Sequence, residues 1–198
     1  IIDIFEEAEA TFPESKGVLH FGHAPFVKNE DLDRLAKLKK VTINFSPMLA
    51  VPHPQMKIFV ETPLGKERHQ QQYPVKTALD KGLIAGFGSD FPSSLVPDPN
   101  SFYYMHGWVT REVPGQPELG TINIENAISV EEAIRGFTLG GAQSLGYNYA
   151  SIFGSIEEGK SADFIILNQN ILDISKSDIY KTEVKKTIFR GVEVYSEK

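Results

Sequence analysis

A single carboxylate, Asp90, follows an apolar, strand-like segment of the chain. Residues 83–87 are apolar, Gly86 and Gly88 give the backbone freedom, and Pro92 stops the strand. In α/β barrels, reactive groups are presented from the carboxyl ends of parallel strands, as this pattern would do. Asp90 is therefore the first candidate for chemistry, and an ordinary turn aspartate is the alternative.

The histidines are the other candidates, and there are five: His20, His23, His53, His69 and His106. The first two lie three apart on a predicted strand, so they face opposite sides of it. His23 stands at the strand end, where a loop begins, which makes it the better candidate for a metal ligand or an acid–base group. A hydrogen-bonded histidine at a strand end is the alternative. The remaining three lie in long loops, where each is either a site residue or an exposed polar group.

His23 and Asp90 can share a site if their strands belong to one barrel. An aspartate beside a divalent metal can ligate it and also take a proton from the attacking water. The chain has no cysteine, so a metal would be held by His, Asp or Glu, which suits zinc or another divalent first-row ion in a catalytic rather than a structural role. A catalytic zinc takes three protein ligands, and the predicted strands supply no third.

Composition excludes several classes of protein. The 198 residues are 41% hydrophobic and carry a net charge of −6 without a basic block, which argues against nucleic acid as a partner. No apolar run is long enough to cross a membrane, and the acidic N-terminal residues are not typical of a signal peptide. We expect a globular protein in the cytoplasm that binds neither nucleic acid nor membrane.

Helices and strands alternate along the first two-thirds of the chain. Helices are predicted at residues 2–11, 30–39, 74–81 and 129–145, and strands at 18–22, 41–45 and 84–87. Pro74 and Gly82 are placed to begin and end the third helix, and Ser129 with Glu132 forms a capping box for the fourth. Such alternation indicates βα units around a parallel sheet.

Two long stretches, residues 46–73 and 91–128, are predicted to be irregular, and in a barrel they would be loops of the catalytic face.

The tail has a different pattern. Short β segments are predicted at residues 155–158, 162–167, 186–189 and 192–195, with a two-residue turn at Arg190-Gly191. The sequence therefore predicts two domains: residues 1–147 as part of a barrel and residues 148–198 as a β-sandwich segment.

Residues 154–161 match the phosphate-binding pattern G-x-x-x-x-G-K-[ST]. A true phosphate loop follows a strand and opens a helix, whereas here a strand is predicted after the motif. Glu157 and Glu158 inside the loop would also repel phosphate. We interpret the segment as a turn between strands.

Several motifs in order resemble the C-terminal part of amidohydrolase family 3, which includes N-substituted formamide deformylase-like enzymes. They are Gly22-His23-Ala24-Pro25, Leu64-Gly65-Lys66-Glu67-Arg68, Gly88-Ser89-Asp90-Phe91-Pro92, Asp98-Pro99, Val109-Thr110-Arg111, Ser129-Val130-Glu131-Glu132-Ala133 with Thr138, and residues 154–164. The resemblance extends over essentially the whole chain.

This resemblance implies an α/β fold: strands 6–8, with their helices, of a metal-dependent (β/α)₈ TIM barrel, plus part of a small β-sandwich. His23 would be a metal ligand at the end of the sixth strand. Asp90 would be a metal ligand at the end of the eighth and would act as general base and then acid. Arg111 would line the substrate pocket. The cofactor implied is a divalent metal, with one or two zinc ions expected in the full-length parent.

The family's remaining metal ligands on strands one, four and five have no counterpart here, and a complete barrel needs about 250 residues. The chain also begins inside an amphipathic pattern at Ile1. These features predict a C-terminal fragment that is inactive alone. Its exposed barrel edges predict either association, as in a homo-oligomer, or poor solubility.

The parent is expected to hydrolyse C–N bonds of small amides or formamides through metal-activated water. The alternatives are a non-catalytic binding or regulatory remnant of the fold, and a deaminase or isomerase on the same scaffold.

Overall fold

A three-stranded parallel sheet organises the first part of the molecule. The computed structural model describes residues 1–46, 50–92, 99–146 and 148–197. The strands are β1 (Leu19–Gly22), β2 (Val41–Phe45) and β3 (Ile84–Phe87), in the spatial order β1-β2-β3. Gly22 pairs with Asn44, and Asn44 pairs with Gly86, so the three carboxyl ends meet at one edge of the sheet. The strands predicted from sequence are confirmed to within one residue.

The central strand β2 is the most buried of the three. Ile43 and Phe45 are fully buried, and the helix Asn29–Leu35 adds Leu32 and Leu35 to the same core. Each such side chain contributes roughly 1.5–3 kcal/mol when it leaves water. The preceding helix Ile2–Thr11 contacts the helix Asn29–Leu35, and both lie in the N-terminal part of the chain.

The helical segment after Ser129 lies against β3. It comprises Val130–Arg135, a π-helical turn at Gly136–Gly140 and Gly141–Ser144. The predicted capping box is confirmed: the Ser129 hydroxyl accepts from the Glu132 backbone N–H, and the Glu132 carboxylate accepts from the Ser129 N–H. The helix Val75–Asp80 begins after Pro74 and is followed by Gly82 at φ 82°, which agrees with the predicted start and end of that helix.

The two stretches predicted to be irregular contain helices, so that prediction was wrong for much of their length. The first holds Pro54–Met56, Lys57–Glu61, Thr62–Leu64 and Lys66–His69; the second holds Ser101–Thr110 and two short 3₁₀ turns, Pro117–Leu119 and Ile124–Asn126. Ser101–Thr110 buries seven of its ten residues. A helix buried on most faces lacks the polar–apolar period by which helices are predicted, which explains why it was missed.

A second sheet, antiparallel, is formed by the tail. It contains β4 (Phe164–Leu167), β5 (Val184–Phe189) and β6 (Val192–Ser196), in the order β4-β5-β6. Arg190 and Gly191, at φ 51° and 78°, join β5 to β6 as the predicted two-residue turn.

The strand predicted at residues 155–158 is absent, and this part of the prediction was wrong. Lys160 Nζ donates to Ser155 Oγ at 2.6 Å and to Glu157 Oε1 at 3.1 Å, which folds the segment back on itself. The motif Gly154–Ser161 is followed by β4 rather than by a helix, so the structural context of a phosphate loop is missing.

The two sheets are linked through the helix Ser101–Thr110, which packs on the 3₁₀ segment Lys176–Lys181. The rings of His106 and Tyr180 meet edge to face, with centroids 5.3 Å apart. The division between residues 147 and 148 stays a prediction, and Tyr147 itself lies outside the described residues, as does Asp98 of the Asp98-Pro99 motif. Within the described ranges, every helix is too short or too polar to cross a membrane.

Candidate functional site

The sheet topology brings His23 and Asp90 to the same edge. His23 directly follows β1, and Asp90 comes three residues after β3, on the two strands that flank β2. Neighbouring strands lie about 4.8 Å apart, so the ends of β1 and β3 are separated by roughly 10 Å. Both side chains are exposed at this edge. This arrangement is consistent with the sequence-based prediction that His23 and Asp90 can share one site.

His23 is held in an unusual backbone conformation. His23 and Ala24 have φ of 61° and 44°, and the Ala24 N–H donates to the Gly22 carbonyl at 2.8 Å, which makes a tight turn at the end of β1. Non-glycine residues with positive φ cost of order 1–3 kcal/mol and persist only when their surroundings hold them. The turn therefore fixes the backbone from which the imidazole projects.

Ser46 contacts the His23 ring. Its hydroxyl lies 3.1 Å from His23 Nδ1, and Ser46 is itself buried at 3% exposure directly after β2. A metal-binding histidine commonly uses its second nitrogen in such a hydrogen bond, which fixes the ring. Nε2 is then the nitrogen left to bind a ligand. Ser46 was not singled out from sequence, although its place after the neighbouring parallel strand was the available signal.

Asp90 also lies on a left-handed turn, at φ 60°. The turn is closed by Ser89, whose hydroxyl accepts from the Phe91 N–H at 3.2 Å. The Gly88 N–H donates to the Phe45 carbonyl at 3.4 Å, which extends the contact with β2 beyond the last strand pair. The sequence predicted a carboxylate at a strand end, and the structure places it there with its carboxylate facing solvent.

Tyr73 lies under this edge and is fully buried. Its ring packs edge to face on Phe45, at 6.2 Å, and on Trp108, at 5.7 Å. Burial raises the pKa of the Tyr73 hydroxyl, and the nearby Asp90 charge raises it further, while Arg111 opposes the shift. The hydroxyl therefore stays neutral at physiological pH.

Arg111 is fully buried at the C-terminal end of the helix Ser101–Thr110. Its guanidinium donates to four backbone carbonyls: those of Gln72, Tyr73, Ile122 and Asn123. Burial lowers the pKa of this group. The substrate contact expected from the resemblance stays a prediction, since the contacts seen here are all with the protein backbone and with the Trp108 ring.

The other four histidines each have structural neighbours. They are His20, 3.0 Å from Thr42 Oγ1; His53, which accepts from the Gln55 N–H; His69, 3.0 Å from Glu61 Oε2; and His106, against Tyr180. His20 thus contacts Thr42 of β2, and the expectation that His20 and His23 face opposite sides of the strand stays a prediction.

The residues at the edge fit part of a metal site. Imidazole and carboxylate are suitable donors for zinc and other divalent first-row metals, and both His23 Nε2 and the Asp90 carboxylate are accessible. Among the described residues, no group of three or more His, Asp or Glu side chains is close enough to hold a metal ion. His23 and Asp90 are thus two candidate donors, whereas a catalytic zinc takes three from protein.

Comparison with known proteins extends this picture to the whole chain. Residues 1–195 match the family model described as the amidohydrolase family. The chain is 30% identical over 174 residues to the amidohydrolase YtcJ of Bacillus subtilis (strain 168), covering 87% of this chain and 31% of that protein. It is 28% identical over 127 residues to the N-substituted formamide deformylase of Arthrobacter pascens, covering 64% of this chain and 22% of that protein.

A solved structure has a similar fold. It is an uncharacterized metal-dependent hydrolase from Pyrococcus furiosus, with a TM-score of 0.57 and 26% identity, covering 81% of this chain and 30% of that one. The chain thus spans between about a fifth and a third of the length of these three proteins. Because the family model extends over nearly every residue, the chain belongs to the amidohydrolase family.

Proposed function

We propose that the whole protein containing this chain is a metal-dependent hydrolase that cleaves a C–N bond of a small amide or formamide. The observation that carries the proposal is the convergence of His23 and Asp90 at the carboxyl edge of one parallel sheet, in a member of the amidohydrolase family. The name of the Arthrobacter relative supports a formamide-type substrate. The finer architecture, strands 6–8 of a (β/α)₈ barrel with a β-sandwich segment, is part of the same proposal.

His23 would hold the metal through Nε2, with its ring fixed by Ser46 at Nδ1. Asp90 would bind the same metal through its carboxylate. When bound, a divalent metal polarises the amide carbonyl and makes water nucleophilic near neutral pH. The remaining ligands would come from outside this chain's described residues, so we propose that the 198 residues alone are inactive.

Asp90 would also transfer the proton of the attacking water to the leaving nitrogen. A carboxylate next to the attacking water accepts its proton, and the carboxylic acid so formed can then donate that proton to the leaving nitrogen. The exposed position of Asp90 at the sheet edge leaves room for substrate above it. Protonation of the nitrogen lets the C–N bond break with a neutral amine as leaving group.

The test uses the full-length protein and compares two matched pairs of variants. Asp90→Asn is expected to lower kcat by about 10²–10⁴-fold on a formamide and amide panel, the usual contribution of general acid–base catalysis. Asp33→Asn, an aspartate on the helix Asn29–Leu35, is the control. His23→Asn is expected to lose bound metal, whereas His20→Asn is expected to retain it.

Full activity of Asp90→Asn would refute the catalytic role. A full-length protein that binds no metal and turns over no member of the panel would instead favour the non-catalytic remnant of the fold.

A further inference from the structure

Arg111 links two separate chain segments through its guanidinium. Its Nε donates to the Ile122 and Asn123 carbonyls at 3.1 and 3.2 Å, and its Nη2 donates to the Gln72 and Tyr73 carbonyls at 2.9 and 3.1 Å. The planar fork of a guanidinium can reach two chain segments at once, which the single ammonium of lysine cannot reproduce.

The position of Arg111 is fixed from several sides. Arg111 has φ 60° and donates its own N–H to the Gly107 carbonyl at 3.0 Å, which closes the end of the helix Ser101–Thr110. Its guanidinium lies 5.5 Å from the centre of the Trp108 ring. Nη1 is buried without a hydrogen-bond partner, so the bonds of Nε and Nη2 are the ones that hold the side chain. Removing it would leave buried carbonyls without these donors, which is unfavourable.

Asn123 reinforces the same contact. Its Nδ2 donates to the Gln72 carbonyl at 2.7 Å, so Arg111 and Asn123 hold the Gln72 carbonyl from two directions. The segment Gln72–Tyr73 is therefore anchored to the region after the helix Ser101–Thr110.

Tyr73 connects the anchored segment Gln72–Tyr73 to the turn that carries the candidate metal ligand His23. Its backbone N–H donates to the Pro25 carbonyl at 2.8 Å, and Pro25 is two residues after His23. The turn at His23 and Ala24 has two consecutive residues at positive φ, a conformation that needs support from outside. One support is Ser46 at the imidazole; the other is Tyr73 at the end of the turn.

We propose that Arg111 is a positioning residue for His23: by fixing the Gln72–Tyr73 segment it fixes the Pro25 carbonyl and hence the turn that directs the His23 imidazole. This inference rests on the proposed function, because the orientation of His23 matters for activity only if His23 binds the metal. It differs from the role in the substrate pocket, in which Arg111 would touch the substrate and its replacement would raise KM while the metal stayed bound.

The experiment first measures the His23 ring in the 198-residue protein by ¹H–¹⁵N spectroscopy of the imidazole nitrogens, without metal. Arg111→Lys is expected to shift the His23 ring signals and change the ratio of its two tautomers. The control is Leu35→Ala, a fully buried residue on another helix, whose truncation destabilises the core without touching this set of contacts. The control is expected to leave the His23 signals as in the wild type.

A milder variant keeps the test informative if Arg111→Lys does not fold. Asn123→Ala removes one of the two bonds to the Gln72 carbonyl and leaves the guanidinium in place, so it is expected to shift the His23 signals in the same direction by a smaller amount. Unchanged His23 signals in either folded variant would overturn the proposal.

The second measurement is zinc affinity of the full-length protein. Arg111→Lys is expected to weaken it about 10–100-fold, the usual effect of replacing a residue that orients a metal ligand. Wild-type affinity together with a raised KM would overturn the proposal in favour of substrate contact. If His23→Asn retains full zinc affinity, the proposed function fails at His23, while the imidazole signals still decide whether Arg111 positions this ring.

Discussion

Gly140 and Gly141 are adjacent on the helical segment behind β3, and alanine should have opposite effects at the two positions. A Cβ on Gly140 would come within 2.2 Å of the Ala85 carbonyl oxygen in β3 and 3.1 Å of the Arg135 carbonyl oxygen. A Cβ on Gly141 would meet its first neighbour, the Gly136 carbonyl oxygen, at 3.6 Å, an ordinary contact. The first substitution forces the helix away from the strand that leads to Asp90.

The magnitudes follow from these distances. Overpacking costs typically 1–3 kcal/mol. At Gly140 the added Cβ would collide with backbone atoms, which cannot move aside by a change of rotamer as a side chain can. Alanine is favoured over glycine by about 1 kcal/mol inside a helix. At Gly141 no close contact of the added Cβ opposes this gain. We therefore expect Gly140→Ala to be destabilising by up to about 2 kcal/mol net and Gly141→Ala to be stabilising by up to about 1 kcal/mol.

The assay is urea and thermal unfolding of both variants beside the wild type. For a chain of this size, 1 kcal/mol corresponds to roughly 2–4 °C in Tm. The reasoning predicts a lower Tm for Gly140→Ala and a Tm equal to or above wild type for Gly141→Ala. Equal stability of the two variants would refute the close helix–strand packing from which the prediction is made.

Two further predictions concern stability. Burial lowers the pKa of His106, so the unfolded chain binds more protons than the folded one below the ordinary value of about 6.5. The stability that the neutral, buried His106 contributes is complete above about pH 6.5 and is lost as the pH falls through the folded pKa. His106→Gln should therefore flatten this part of the curve of unfolding free energy against pH. An unchanged curve would contradict the assignment of this pH dependence to His106. Ser129→Ala removes the hydroxyl of the capping box and should lower the free energy of unfolding in urea by about 1 kcal/mol. Ser129→Asp can still cap the helix and should lower it little. Equal losses of stability in the two variants would argue against the cap.

Much of the framework could be predicted from sequence, because its signals are local. The apolar segments that became β1, β2 and β3, the capping box at Ser129 and the turn at Arg190-Gly191 depend on residues close together in the chain. Three of the four predicted tail strands were located for the same reason, whereas the one predicted at residues 155–158 was wrong. The buried helix Ser101–Thr110 was missed because a helix covered on most sides shows no period of polar residues.

By itself, the sequence determined which residues follow strand ends and hence that His23 and Asp90 are candidates for one site. Parallel pairing in the order β1-β2-β3 decided that the two lie at one edge. Only the tertiary structure decided what surrounds them: Ser46 at the His23 ring, and Arg111 buried among four carbonyls from two distant segments. The His23–Ser46 and Arg111–Gln72 contacts join residues 23 and 39 positions apart, and no local pattern of side chains records them, because they depend on how whole elements pack.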